Sequence, residues 1–80
     1  MTIGCAVRER ILSLCRQRSI SINKLASVSG VTQSTVNNIV SGRNHSATIS
    51  TIKKLCDGLE ITILEFFDDP LFLELEQELK

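Results

Sequence analysis

The sequence predicts an all-α domain, on three observations. Apolar residues recur at spacings of three and four, strand signals are absent, and four of the apolar stretches follow a Ser or Thr suited to cap a helix. Aromatics make up 4% of the chain, and no long alternating run or Asn-Gly hairpin occurs. Eighty residues make one domain, 42% of them hydrophobic, which is enough for one core without metal or disulfides.

The first helix covers about 3–17, with Ile3, Val7, Ile11, Leu14 and Cys15 on its inner side. Ser21 caps the second, whose inward residues are Leu25, Ala26 and Val28. Gly30 stops it, Val31 supplies the apolar contact that follows such stops, and Thr32 caps the next helix at once. Two helices joined by so short a turn have helix-turn-helix geometry, here about 22–41. The third helix runs about 33–41 and ends at Gly42. Thr48 caps a fourth, with face Ile49, Ile52, Leu55 and Leu59 and a stop at Gly58. Thr62 caps a short fifth containing Ile63, Phe66 and Phe67, which Asp68-Asp69-Pro70 breaks. Leu71, Leu75 and Leu79 at spacing four, with Phe72, predict an extra amphipathic helix over 70–79. The expected organisation is a compact five-helix domain over 1–69, then a C-terminal helix within 70–80 for packing or dimerisation.

Net charge is zero but unevenly distributed. Residues 1–58 hold eight Arg and Lys against two acids, and residues 59–80 hold seven acids against Lys80. A basic body with an acidic tail binds a polyanion when the tail lies away from it. The third helix shows how. At about 100° per residue, Val36, Ile39 and Val40 form one stripe, while Gln33, Asn37, Ser41, Ser34 and Asn38 fall within roughly 140° of the opposite arc. That arc carries no charge. Ordinary exposed helix faces use Glu, Lys and Arg; Asn and Ser are poorer helix formers. Gln and Asn match adenine's N6 and N7 edge, Ser serves a donor or an acceptor, and the lack of carboxylates avoids repulsion from phosphates. Gln33, Ser34, Asn37 and Asn38 are therefore the candidate base readers. Ser21, Asn23 and Thr32 at helix starts, with Arg43, Asn44 and His45 after the third helix, are candidate backbone contacts.

The run from Ile22 to Gly42 resembles the lambda-repressor-like, or xenobiotic-response-element, family of helix-turn-helix regulators. Ala26 fits its small residue where the two helices touch, Gly30 its turn glycine, and Val36 and Ile39 its buried recognition-helix positions. The run Thr48 to Phe67 looks like its fourth and fifth helices, so the resemblance spans about residues 7–67. It implies a five-helix domain, usually dimeric on a near-palindromic operator, with Gln33, Ser34 and Asn37 at base-reading positions, Asn38 flanking them, and Ser21, Arg43 and Asn44 on the backbone. Two positions depart from the family pattern. Ile22 stands where Gln commonly contacts phosphate and braces the recognition helix, and Ala47 stands where the loop usually has Pro.

These features point to a sequence-specific double-stranded DNA-binding regulator, a repressor, working as a homodimer. A protein-interaction module on the same fold, such as an antitoxin or adaptor, is the alternative. One histidine, no phosphate-cradling glycine loop and no nucleophile–base pair argue against an enzyme. Cys5, Cys15 and Cys56 show no paired spacing, so neither a disulfide framework nor a zinc site with His45 is expected. No cofactor, small-molecule effector, signal peptide or membrane segment is read, which places the chain in the cytoplasm.

Overall fold

The fold, taken from a computed structural model, is described for residues 1–42 and 47–79. It runs α1 (Ile3–Arg18), α2 (Ile22–Ser29), α3 (Gln33–Val40), α4 (Ile49–Leu59) and α5 (Ile63–Phe67), then a 3-10 turn at Pro70–Phe72. No strand occurs among the described residues.

Each helix begins the same way. Thr2, Ser21, Thr32, Thr48 and Thr62 sit in extended backbone and accept a hydrogen bond from the amide three residues on. This satisfies one of the four donors that a helix leaves unpaired at its start, and is worth about 1 kcal/mol. At Thr62 the arrangement is reciprocal, since Glu65 accepts from the Thr62 amide at 3.0 Å. The predicted caps at Ser21, Thr32, Thr48 and Thr62 all form.

The ends are less uniform. Gly30 closes α2 in the left-handed region (φ 67), as expected, and the Val31 amide reaches back to the Ala26 carbonyl at 3.2 Å. The stop of α4, however, is Glu60 (φ 59), two residues beyond Gly58. Gly58 lies inside α4 for another reason. A Cβ there would stand 2.2 Å from the Ser29 hydroxyl and 3.0 Å from Ser29 backbone atoms. The glycine lets α4 approach α2.

That approach also corrects the inward face of α2. Leu25 and Ala26 are buried, but Val28 is 44% exposed. With about 100° per residue, Ser29 falls between Leu25 and Ala26 on the wheel, whereas Val28 falls outside them. The small residue faces the neighbouring helix and the larger apolar one faces solvent. Ile49 is corrected likewise: it is 72% exposed at the first turn of α4, beside an apolar groove of about 630 Å³ shared with Ile3, Val7, Ile39, Ile52 and Phe67.

The core draws on all five helices. Ile11, Leu25, Val36, Leu55, Cys56 and Phe66 are fully buried. The α2 helix packs on α3 and α4, α1 on α3 and on the 3-10 turn, and α4 on α5.

The predicted C-terminal helix over 70–79 does not form. Pro70 opens a single 3-10 turn capped by Asp69, and Leu73–Leu79 continue without helix. The segment is short for a helix with little surface to pack on. Glu74 and Glu78 would also stand as like charges four residues apart, which disfavours a helix. Phe72 packs edge-on to Phe67 with ring centroids 4.9 Å apart. Leu71 and Leu75 are half-buried, while Leu79 is 80% exposed, so its expected packing is absent among the described residues. The later tail is held by a hydrogen bond from the Glu76 amide to the Met1 carbonyl, 3.0 Å.

Candidate nucleic-acid interface

The interface begins with what α3 buries. Val36 and Ile39 are buried and Val40 half-buried, so the apolar stripe faces the core. The opposite arc is therefore outward. Gln33, Ser34, Asn37 and Ser41 are exposed, and Asn38 is half-buried at its margin. The helix that presents them is uncharged and capped by Thr32, whose oxygen accepts from the Thr35 amide at 3.2 Å. Thr32 and Thr35 also bond through their hydroxyls at 2.8 Å.

The proposed backbone contacts divide into two groups. Ser21 and Asn23 are exposed at the start of α2, and Thr32 at the start of α3. Ser21 Oγ accepts from the Lys24 amide at 3.0 Å. Its hydroxyl proton remains able to donate to a phosphate oxygen. Arg43, Asn44 and His45 lie outside the described residues. Ile22, at the first position of α2, is half-buried and packs against the core.

The far end of α3 shows how its last carbonyls are satisfied. The Ser41 amide bonds to the Asn37 carbonyl at 2.9 Å, the Ser41 hydroxyl to that of Asn38 at 3.3 Å, and the Gly42 amide to that of Ile39 at 3.3 Å. The Val40 carbonyl accepts instead from Arg8 Nε of α1, at 2.7 Å. The same guanidinium pairs with Glu9 at 3.1 Å, both side chains being more than a third exposed.

Arg10 is the larger surprise. In the sequence it adds to the basic body, yet it is only 8% exposed. Its Nε donates to the Phe66 carbonyl (2.7 Å), Nη2 to the Glu65 carbonyl (2.8 Å) and Nη1 to Asp69 Oδ2 (3.1 Å). This arginine closes the end of α5 and ties the 3-10 turn to α1, leaving its charge compensated. The sequence does carry a signal for this: Arg10 stands three residues after Val7, inside the apolar stripe of α1. A cation there needs an internal partner.

The cysteines are free. Cys5 is exposed. Cys15 and Cys56 are core residues whose thiols burial pushes above their ordinary value of 9.0, with Asp57 adding to the rise at Cys56. They serve as small hydrophobes. No group of three His, Cys, Asp or Glu able to hold a metal occurs among the described residues. No helix among them is long and apolar enough to cross a membrane.

A capped α2, a glycine turn, a capped α3 with a buried stripe, and a polar outer arc define a helix-turn-helix DNA-binding protein. The family profile of the Cro/C1-type HTH DNA-binding domain matches residues 10–70, and the chain belongs to that family. Among solved structures it is similar to the crystal structure of prophage Lp1 protein 11, with 40% sequence identity and a TM-score of 0.81. That match covers 94% of this chain and 99% of the other. None of the curated proteins compared with the chain matches it. The family supports a DNA-binding regulator of the xenobiotic-response-element type, with double-stranded DNA as its partner.

Proposed function

We propose that the chain is a sequence-specific repressor that lays α3 in the major groove and reads base edges with Gln33, Ser34 and Asn37, with Asn38 at the margin. The supporting observation is the outward, charge-free arc of α3. Its short amides and hydroxyls both donate and accept, as base edges require. Ser21, Asn23 and Thr32 hold phosphates at the two helix starts, where backbone amides and the helix dipole favour an anion. Arg43, Asn44 and His45 extend that grip beyond α3.

Residues 1–69 form the DNA-binding domain, and the segment 70–80 adds packing or dimer contacts. Phe72, which packs against the core, supports packing within the chain, and Leu71 and Leu75 are half-buried. Exposed Leu79 is available to a second copy in a cytoplasmic homodimer. A dimer would place two α3 helices about one turn of DNA apart on a near-palindromic operator.

Selection from random duplexes tests this directly. Gln33→Ala or Asn37→Ala should cost about 1–3 kcal/mol on the selected site and relax one base position. Arg43→Ala should weaken every duplex alike and reduce the salt slope by about one. Absence of salt-sensitive binding to any duplex sinks the reading and favours a protein-interaction module on the same fold.

A further inference from the structure

We propose that Arg8 is a positioning residue for DNA reading: from α1 it fixes the C-terminal turn of α3, and with it the aim of Asn37 and Asn38. The inference rests on the base-reading role of α3 given above. Four carbonyls at a helix end lack partners within the helix. In α3 three of them, Asn37, Ile39 and Asn38, are satisfied locally by Ser41 and Gly42. Among the described residues, the fourth, Val40, is the one that reaches outside, to Arg8 Nε 32 residues away in sequence. The α3 helix has no basic residue in its last turn. A cation at that end is favoured by the helix dipole, and Arg8 supplies it from another element. Glu9 accepts a second hydrogen bond from the same guanidinium, through Nη1 at 3.1 Å.

The contact matters because α3 is short. It has eight residues, and both Asn37 and Asn38 lie in its second half. Base reading tolerates little drift, since bidentate contacts need correct distance and angle together. An untethered final turn would fray, and fraying moves the side chains at 37 and 38 before those at 33 and 34. Arg8 should therefore govern discrimination at the bases that Asn37 and Asn38 face, more than affinity for DNA in general.

Two variants separate this role from an ordinary phosphate contact. Arg8→Lys keeps the charge but puts a methylene where Nε stands; Arg8→Met removes both. If Arg8 positions α3, both variants speed hydrogen exchange at the Ser41 and Gly42 amides of the free protein by about five- to tenfold, the scale of one lost hydrogen bond. Exchange at Leu55, in the core of α4, stays unchanged, which shows that the variants fold. Both also narrow the affinity ratio between the selected site and sites altered at the Asn37 and Asn38 positions by a similar factor. The salt slope is kept in Arg8→Lys. Wild-type behaviour of Arg8→Lys, with Arg8→Met weakening all duplexes alike and flattening the salt dependence, would make Arg8 a phosphate contact and overturn the proposal. Unchanged exchange at Ser41 and Gly42 in Arg8→Met overturns it too. If the wild type selects no duplex, the DNA reading and the positioning role fall together, while the exchange ratio still reports whether the α1–α3 contact forms.

Discussion

The helix-turn-helix half and the C-terminal tail carry the same kind of sequence signal and end differently. Both show apolar residues at helical spacing. In α2 and α3 each start is closed by a hydroxyl accepting from the third amide on, and α2 stops on a left-handed glycine. In the tail, Asp69 accepts from the amide of Leu71, only two residues on, and the chain makes one 3-10 turn before leaving the helical path. Spacing proposes a helix; closure of its ends and a surface for its apolar side decide whether it forms. The α2 and α3 helices have eight residues each, too short to persist alone in water, so packing must hold them. Leu73 and Leu79 have no such packing among the described residues and stay exposed.

The contrast can be tested from its strongest point to its weakest. The largest effect belongs to Arg10, which joins the body to the start of the tail. Arg10→Met leaves the carbonyls of Glu65 and Phe66 and the Asp69 carboxylate without their donor, and should cost about 3 kcal/mol, read as a lower midpoint in urea. A loss under about 1 kcal/mol would show that water replaces the network and that the 3-10 turn needs no anchor. Next comes the contact that brings α2 onto α4. Gly58→Ala presses a methyl on Ser29, including its backbone, and should cost about 2 kcal/mol. Ser29→Ala should do the reverse, because the Ser29 hydroxyl is buried with no hydrogen-bond partner among the described residues; a gain of about 1 kcal/mol is expected in thermal melts.

Smaller still, Thr62→Ala removes the cap of α5 and should cost about 1 kcal/mol. Deleting residues 73–80 should change stability by no more than about 0.5 kcal/mol, since Leu73 and Leu79 are exposed and Leu75 is only half-buried. Equal losses in these two variants would mean that the tail is as firmly part of the fold as a capped helix. The least perturbing probe is chemical. Cys5 should react readily with a thiol reagent, while Cys15 and Cys56 react only on unfolding, because burial keeps them neutral. With folded values raised, these two thiols favour the fold fully below pH 9.0, and that contribution falls as pH rises through and beyond that value.

Much of the recognition side is legible in the order of residues. The hydroxyl residues at 21, 32, 48 and 62 are local signals, because a cap and the amide it serves lie within one turn. The stripe of Val36, Ile39 and Val40, and hence the arc opposite, follows from periodicity alone. Features that depend on a distant neighbour are the ones that escape such a reading. Val28 reads as a core residue until Gly58 shows that the helix contact runs through Ser29. Gly58 reads as a stop until α4 continues to Glu60. Arg8 reads as a surface charge and Arg10 as a cation in need of an internal partner, but neither shows in sequence that its partner is the end of α3 or of α5.

The sequence by itself determined the helix starts, the class of fold, and the charge-free outer face of α3, because capping and helical periodicity are set within a few residues. Only the tertiary structure decided where α4 ends, which side of α2 faces inward, that the tail stays unwound, and that α1 closes the ends of α3 and α5 through Arg8 and Arg10. Those outcomes depend on atoms brought together from dozens of residues apart. A carbonyl at a helix end states in the sequence only that it needs a donor; which donor arrives is settled when the helices pack.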